Sequence, residues 1–204
     1  MQDQDDSLPE EFLARLRDIE QSYLTQTDPI LQSGFGGGPA RWRQERGIIL
    51  EAVGESGDFL DIGCANGYLL ECLVQWAAER NIALTPYGVD YGPELIQLAR
   101  NRLPQHASHF WVANAWSWAP PRKFRYVYTL HDYVPHHLLA EYARRLLARC
   151  VAPRGALIIG AYGSYSRREP ARDLARELRE RGFAIAGSAA CGPLPATRIA
   201  WIQT

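Results

Sequence analysis

Two carboxylates stand where strand-like runs of the sequence end, a position suited to binding a charged ligand. The stretch FLDIGCANGYLL, residues 59–70, contains Asp61 and is typical of a buried strand that turns at Gly63 and Gly67 and continues as a helix. Asp90 ends the next strand-like run, PYGVDY, twenty-seven residues after Gly63. Glycine has no Cβ, so the backbone can approach a ligand closely, and the first N–H groups of a helix can face an anion. The spacing therefore predicts a ligand-binding turn.

Two common nucleotide-binding turns fit this stretch poorly. A P-loop needs GxxxxGK[ST], and the turn has neither the lysine nor the hydroxyl that would accompany a triphosphate. A dinucleotide turn needs GxGxxG. Aligned from Gly63, the chain reads GCANGY, which puts Tyr68 at the third small position. A side chain of that size obstructs close packing of helix on strand, so pyrophosphate binding is disfavoured and an NAD-type oxidoreductase is a lesser alternative.

The turn resembles motif I of the class I S-adenosylmethionine-dependent methyltransferases. That motif is an acidic residue followed by x-Gly-x-x-x-Gly, here Asp61-Ile-Gly63-Cys-Ala-Asn-Gly67. The resemblance implies that Asp61 supplies negative charge near the cationic groups of the cofactor. The strand end Tyr-Gly-Val-Asp90-Tyr91 resembles the second motif. There the acidic residue accepts hydrogen bonds from both ribose hydroxyls, and the next residue packs on the adenine.

A third segment continues the resemblance in the right order. Val-Ala-Asn114-Ala115 stands where the third motif usually places an aspartate beside the adenine amine, and the amide oxygen of Asn114 can accept the same bond. The resemblance extends over residues 45–203 and implies S-adenosyl-L-methionine as the cofactor. The cofactor contacts that it implies are Asp61, Gly63, Cys64, Ala65, Gly67, Asp90, Tyr91, Asn114, Ala115 and His131.

The loop after the predicted fourth strand reads HDYVPHH, residues 131–137. In the family that this chain resembles, the corresponding loop lies beside the transferable methyl group. A histidine titrates near neutrality and can act as a base, while a tyrosine can orient an acceptor or shield a sulfonium with its ring. We therefore expect His131 and Tyr133 to be catalytic. The alternative for His131 is that it only contacts the cofactor or caps the strand.

We expect no metal site in this loop and no nucleic-acid acceptor. The adjacent His136 and His137 at a helix start point in different directions, and Asp132 has no second carboxylate cluster beside it in sequence. The Asn-Pro-Pro-Tyr sequence that amino-methylating nucleic-acid enzymes carry after strand four is absent. Since the net charge is −1 and no basic stripe with interleaved aromatics occurs, a small-molecule acceptor is favoured.

The elements that position these residues follow from hydrophobic periodicity. Strand-like and helix-like segments alternate after residue 55, which predicts a doubly wound, mostly parallel α/β sheet with helices on both faces. The resemblance implies seven strands with a late antiparallel one. The predicted strands are 59–63, 86–91, 109–115, 124–131, 155–163, 183–190 and 197–203, and the predicted helices between them are 67–80, 93–103, 135–151 and 170–183.

The N-terminal region is predicted to differ from the rest of the chain. Residues 1–9 are polar and expected to be disordered, and a helical pattern begins at Pro9. The glycine-rich stretch SGFGGGPA, residues 33–40, predicts a loop, and Pro39 is suited to open the next helix. With Trp42 this loop is either a lid over the ligand or a plain linker. We therefore divide the chain into a helix and lid segment, 1–40, and a methyltransferase-like domain, 41–204.

Composition restricts the setting of the protein. The chain has 204 residues, of which 47% are apolar, and no apolar run is long enough to span a bilayer. The four cysteines form no CxxC pair and the N-terminus is acidic, which favours reduced thiols and a cytoplasmic location. The sequence thus predicts a methyltransferase for a small molecule. A non-catalytic protein that binds S-adenosylmethionine or S-adenosylhomocysteine is the alternative, and the oligomeric state is left open.

Overall fold

A computed structural model describes residues 8–192 and 196–204 of the chain. The disorder predicted for residues 1–9 lies mostly outside the described residues, and at its end the prediction is wrong. Leu8 is buried in the apolar layer on one face of the sheet, and the first helix begins directly after Pro9. Burial of its apolar side chain stabilises this position.

The described residues form helices and strands in an alternating order. The α-helices are α1 (Glu10–Leu24), α2 (Gly38–Arg46), α3 (Tyr68–Ala78), α4 (Pro93–Arg102), α5 (Leu139–Arg149) and α6 (Leu174–Glu180). The strands are β1 (Gly57–Ile62), β2 (Leu84–Asp90), β3 (Phe110–Val112), β4 (Phe124–Leu130), β5 (Val151–Tyr162), β6 (Gly187–Cys191) and β7 (Thr197–Gln203). Short 3₁₀ helices lie at Leu31–Ser33, Gly47–Ala52, Pro104–His109 and His136–Leu138.

The strands form one sheet in the order β3-β2-β1-β4-β5-β7-β6. Strands β1 to β5 run parallel, whereas β7 pairs antiparallel with both β5 and β6. This arrangement confirms the predicted seven-stranded, mostly parallel sheet with a late antiparallel strand. The order reverses between β1 and β4, and in open α/β sheets ligands bind beyond the carboxyl ends of the strands at such a point.

Alternation along the strands assigns the two faces of the sheet. Phe59 of β1 packs in an apolar layer with side chains of α2, α3 and α4. Leu60 and Ile62 pack in the opposite layer with side chains of α5 and α6. Because successive strand residues point to opposite faces, Asp61 lies on the same face as Phe59. The sheet therefore holds this carboxylate at its centre, on the α2–α3 side.

Several predicted elements have different limits in the structure. The helix predicted over 135–151 is divided into the 3₁₀ turn at His136–Leu138 and α5, and Val151 already pairs with Phe124 as part of β5. The strand predicted over 109–115 ends at Val112, and Asn114 then accepts a hydrogen bond from the Trp116 N–H (2.9 Å), which makes a local turn.

The glycine-rich loop is also shorter than predicted, because α2 begins at Gly38 and a 3₁₀ turn ends at Ser33. Phe35, between them, is buried rather than exposed. No helix in the described ranges is long and apolar enough to cross a membrane.

The glycine that begins α3 provides a test of this packing. Gly67 has φ +74°, and a Cβ there would lie 3.0 Å from the Cβ of Ala99 in α4. We expect Gly67→Ala to lower the free energy of unfolding by the cost of a left-handed alanine, about 1–2 kcal/mol, plus about 1–3 kcal/mol for crowding α4. Urea denaturation measures this loss.

Gly182→Ala is the matched control for Gly67→Ala. Gly182 has φ +86°, but a Cβ there would meet nothing within 4 Å. Gly182→Ala should therefore lower the free energy of unfolding only by the cost of a left-handed alanine. Equal losses in the two variants would show that contact between α3 and α4 does not depend on Gly67.

Candidate functional site

A cavity of about 250 Å³ lies at the carboxyl ends of the central strands. Its wall contains residues that end or follow β1, β2, β3, β4 and β5, so it occupies the point where the strand order reverses. The sequence-predicted residues that line it are Asp61, Gly63, Cys64, Ala65, Asp90, Tyr91, Asn114, Ala115 and Tyr133. Segments that are far apart in sequence thus meet at one site.

Two of the predicted site residues, Gly67 and His131, are not part of the cavity wall that the described residues form. Gly67 lies against Ala99 of α4, so its missing Cβ makes room for a helix. His131 donates its backbone N–H to the carbonyl oxygen of Gly160 (3.0 Å), and the next residue, Asp132, lines the cavity. The functional roles of both residues stay predictions.

The turn after β1 is shaped by Tyr133. Gly63 has φ +84°, and a Cβ there would lie 2.2 Å from the Tyr133 ring. The Tyr133 hydroxyl donates to the Gly63 carbonyl oxygen (3.2 Å), and the Gly63 N–H donates to the Val89 carbonyl oxygen (2.7 Å). Glycine at position 63 therefore lets an aromatic ring lie directly on the turn, beside the cavity that both residues line.

Asp90 joins the turn after β1 to the loop after β2. Its Oδ2 accepts from the Ala65 N–H (2.8 Å) and its Oδ1 from the Gly92 N–H (2.9 Å). Burial raises the pKa of Asp90, and the backbone donors Gly92, Ala65 and Tyr91 act in the opposite direction. Each carboxylate oxygen has a second lone pair, so Asp90 holds the two loops together and can still accept hydrogen bonds from a ligand.

Asp61 lies in the cavity wall with a carboxylate that no other described residue hydrogen-bonds. It is only 2% exposed. Burial, and to a lesser extent the charge of Asp90, raises the pKa of Asp61 to about 8. A buried charge without a partner is costly, and a cationic or hydrogen-bond-donating ligand would remove much of that cost. The site is therefore suited to a ligand that carries such a group.

Helix α1 forms a cover that the sequence analysis did not assign to the site. Leu16, Ile19 and Tyr23 line the cavity, and the Tyr23 hydroxyl occupies the space that a Cβ on Gly34 would need. The signal in the sequence was the apolar face of this helix, although periodicity does not say what that face covers. No residue of α1 is fully buried.

Trp42 of α2 completes the cover. It is 3% exposed and lines the cavity, with its indole N–H directed at the Cys72 sulfur (3.3 Å). Its ring centroid lies 5.4 Å from those of Phe35 and Tyr68. Trp42 is thus a core residue and a wall residue at once, and the lid role of the preceding loop stays a prediction.

Three further wall residues, Arg46, Tyr128 and Tyr162, also escaped the sequence analysis. The two hydroxyls lie 2.6 Å apart, and the Arg46 guanidinium lies 3.5 Å from the centre of the Tyr162 ring. Tyr128 packs in the same layer as Phe59, on the face of the sheet that holds Asp61. Besides Asp61 and Asp90, the cavity wall therefore has an arginine, Arg46, in an aromatic setting, and its further charged residues are Arg15, Glu20 and Asp132.

His136 and His137, which follow β4, do not line the cavity. The Nε2 of His136 lies 3.0 Å from a carboxylate oxygen of Glu177 and within hydrogen-bond distance of Arg172 and Arg181. His137 is exposed. In the part of the chain that the structure describes, no three His, Cys, Asp or Glu side chains are grouped to hold a metal ion.

Comparison with known sequences gives one kind of relative. No family model matches the chain. The chain is 31% identical over 166 residues to a trans-aconitate 2-methyltransferase of Azoarcus sp. (strain BH72). The match covers 79% of this chain and 60% of that protein, so the chain spans less than two thirds of the relative's length.

Comparison with solved structures gives the fold. The N-methyltransferase NodS from Bradyrhizobium japonicum WM9, in complex with S-adenosyl-L-homocysteine, superposes with a TM-score of 0.68 at 15% identity, covering 93% of this chain and 97% of that one. The 1,6-didemethyltoxoflavin-N1-methyltransferase from Burkholderia thailandensis superposes with a TM-score of 0.67 at 17% identity, covering 97% and 91%. The chain has the fold of class I methyltransferases.

The ionisation of Asp61 makes the stability of the ligand-free protein depend on pH. Because the folded-state pKa of about 8 lies above the usual value of 3.8, folding binds a proton between those pH values, and stability falls as pH rises through that interval. Asp61→Asn removes this dependence. Between pH 5 and 8 the free energy of unfolding of the wild type should fall by up to about 1.4 kcal/mol per pH unit relative to that of the variant.

Urea denaturation of wild type and Asp61→Asn at pH 5, 6.5 and 8, without ligand, tests this expectation. If the difference between their free energies of unfolding is constant over the series, Asp61 is ionised throughout and its burial is compensated in another way.

Proposed function

We propose that the protein is an S-adenosyl-L-methionine-dependent methyltransferase that acts on a small-molecule acceptor. The observation that carries the proposal is the carboxylate of Asp61, which is buried in the cavity wall without a donor among the described residues. It stands at a glycine turn beside Asp90, where the order of the strands reverses. The amino-acid end of the cofactor bears the cationic groups that such a carboxylate would bind.

The residues present fit this cofactor. Asp61 is suited to its cationic end, and Asp90 keeps lone pairs for two ribose hydroxyls. Tyr91, Asn114 and Ala115 line the part of the cavity beyond β2 and β3, which is suited to the adenine. The backbone of the turn at Gly63, Cys64 and Ala65 faces the space between these ends. Gly67 is proposed to act through the position of α3, since its neighbour is Ala99.

When bound, the cofactor supplies an activated methyl group on a sulfonium, so the protein has mainly to align the acceptor and exclude water. Helix α1 and Trp42 cover the cavity and are suited to exclude water. Tyr133 lies on the turn at the cavity wall and is proposed to orient the acceptor. We keep the division into an N-terminal helix and glycine-rich lid segment, residues 1–40, and a methyltransferase-like domain, residues 41–204, as a proposal, with α2 extending across the boundary.

His131 is proposed as a base for an acceptor that must lose a proton. Burial lowers the pKa of His131 below its usual value, so the neutral imidazole is present at pH 7. The residue precedes Asp132 of the cavity wall but does not itself line it. Of the two proposed catalytic residues, Tyr133 therefore has the more direct support.

The acceptor is proposed to be a small molecule rather than a nucleic acid. The net charge of −1 offers no general attraction for a polyanion. A relative at 31% identity is named a trans-aconitate 2-methyltransferase, which makes trans-aconitate the first acceptor to assay. We also propose a cytoplasmic location, since all four cysteines are buried and free.

Binding of the cofactor can be tested without knowledge of the acceptor. S-adenosylmethionine and S-adenosylhomocysteine should raise the melting temperature and NADH should not, since a ligand at 100 times its dissociation constant adds about 2.7 kcal/mol to stability. Asp90→Ala and the isosteric Asp90→Asn should weaken S-adenosylhomocysteine at least tenfold, because charge-assisted hydrogen bonds contribute about 1.5–3 kcal/mol each. Calorimetric titration gives the affinities.

Asp58→Asn is the matched control. It changes an aspartate in β1 as well, but one that pairs with Arg122 and does not line the cavity. Its affinity for S-adenosylhomocysteine should equal that of the wild type. Unchanged affinity in both Asp90 variants would overturn the ribose assignment, and a response to NADH alone would favour an oxidoreductase. Tight binding without methyl transfer to any acceptor pool would favour the non-catalytic alternative.

Kinetic measurements with an accepted substrate distinguish the proposed roles of Tyr133 and His131. Tyr133→Phe keeps the ring on the turn but removes the hydroxyl, so kcat/KM should fall roughly tenfold with S-adenosylhomocysteine affinity unchanged. His131→Asn should lower kcat by about 10²-fold and abolish the fall in rate at acidic pH that protonation of a base causes.

His137→Asn is the control for His131→Asn. It removes an exposed imidazole from the same loop region and should leave kcat and the pH profile unchanged. A His131→Asn variant with wild-type kcat would exclude a base at that position.

A further inference from the structure

Arg46 stands in the cavity wall as a buried cation without a dedicated anionic partner. It ends α2, is 5% exposed and lines the cavity. One of its guanidinium nitrogens, Nη1, donates to the Thr197 hydroxyl (3.2 Å). The other N–H groups of Arg46 have no acceptor among the described residues. Buried arginines are stable when such groups are paired.

The nearest carboxylate does not satisfy Arg46. An oxygen of Glu45 lies 3.8 Å from Nη1, beyond hydrogen-bond distance. That oxygen accepts from the Thr197 hydroxyl (3.1 Å), and the other oxygen of Glu45 accepts from Arg41 at 3.0 and 2.7 Å. Two arginines therefore share one carboxylate, which leaves an excess positive charge at this part of the wall.

Aromatic rings surround the guanidinium. Its Cζ lies 3.5 Å from the centre of the Tyr162 ring, 4.7 Å from that of Phe35 and 5.2 Å from that of Trp42. Contact with the face of an aromatic ring uses none of the N–H groups of a guanidinium as hydrogen-bond donors, so they are left for an acceptor. Such a preorganised fork matches the two oxygens of a carboxylate.

We propose that Arg46, the buried one of the two arginines Arg15 and Arg46 in the cavity wall, is an anion-binding residue and pairs with a carboxylate of a bound ligand. A single buried guanidinium matches one negative charge, and the carboxylates of Asp61 and Asp132 in the same wall disfavour a more highly charged group such as phosphate. The inference rests on the proposed function for the identity of the ligand. Two molecules can supply the carboxylate, the amino-acid part of the cofactor or the acceptor.

Pairs of ligands distinguish these sources in the wild-type protein. S-adenosylhomocysteine is compared with 5′-methylthioadenosine, which lacks the amino-acid part. Succinate and tricarballylate are compared with succinamide, which lacks the charge, on both the free and the S-adenosylhomocysteine-loaded protein. Calorimetric titration should show at least tenfold tighter binding of the carboxylate-bearing member in one of the two comparisons.

Variants then assign the effect to Arg46. Arg46→Gln should reduce that preference at least tenfold by weakening only the carboxylate-bearing ligand, while any part of it that Asp61 provides for the ammonium group remains. Arg46→Lys, which keeps the charge without the fork, should retain part of it. Arg43→Gln is the matched control, since Arg43 lies on the same helix, is exposed, pairs with Glu79 and does not line the cavity. Circular dichroism checks that each variant is folded.

Each result has a defined meaning. Loss of the preference for S-adenosylhomocysteine over methylthioadenosine in Arg46→Gln assigns the carboxylate to the cofactor, and loss of the preference for dicarboxylate or tricarboxylate assigns it to the acceptor. If the wild type shows neither preference, or Arg46→Gln and Arg46→Lys keep it, the inference is overturned. If neither adenosyl ligand binds, the proposed function fails, while the carboxylate comparison on the free protein still tests Arg46.

Discussion

The turn after β1 passes between two side chains that leave no room for a Cβ. The Tyr133 ring occupies that space at Gly63, and Ala99 of α4 occupies it at Gly67. The first contact brings the loop after β4 onto the turn, and the second brings α4 against the start of α3. The depth and position of the cavity therefore depend on close packing of backbone against side chains, with no spare volume at either glycine.

The cavity wall contains side chains of both charge signs. Asp61 and Asp90 lie at the ends of neighbouring strands, and burial together with the charge of Asp90 disfavours ionisation of Asp61. Arg46 approaches from α2 on the same face of the sheet as Asp61, but among aromatic rings. Under the proposed function, a zwitterionic ligand would place its cationic group at Asp61 and its anionic group at Arg46, so the order of its charges as well as its shape would decide binding.

The sequence predicted the sheet and the turn because both are coded by local patterns. Apolar runs with period two, and the carboxylate–glycine spacing around Asp61, need no knowledge of distant residues. Gly67 shows the limit, since the motif indicates that a side chain is excluded there but not that Ala99 excludes it. The predicted ends of strands and helices were wrong where a side chain forms a local turn, as Asn114 does after β3.

The cover formed by α1 and the position of Arg46 in the cavity wall could not be predicted, because both depend on contacts between distant parts of the chain. The apolar stripe of α1 is visible in the sequence, yet its packing over the carboxyl ends of the strands is a tertiary choice. Arg46 has no motif around it, and its environment is assembled from Phe35, Tyr162 and Thr197. Only the folded sheet brings these residues to one arginine.

The hydroxyl of Thr197 touches both Glu45 and Arg46, although Thr197 follows Arg46 by 151 positions. It belongs to β7, which inserts between β5 and β6 only after both of those have been synthesised. The strands that carry Asp61 and Asp90 precede β7 in the chain, so the contacts that hold Arg46 in the cavity wall depend on a strand that is synthesised after them.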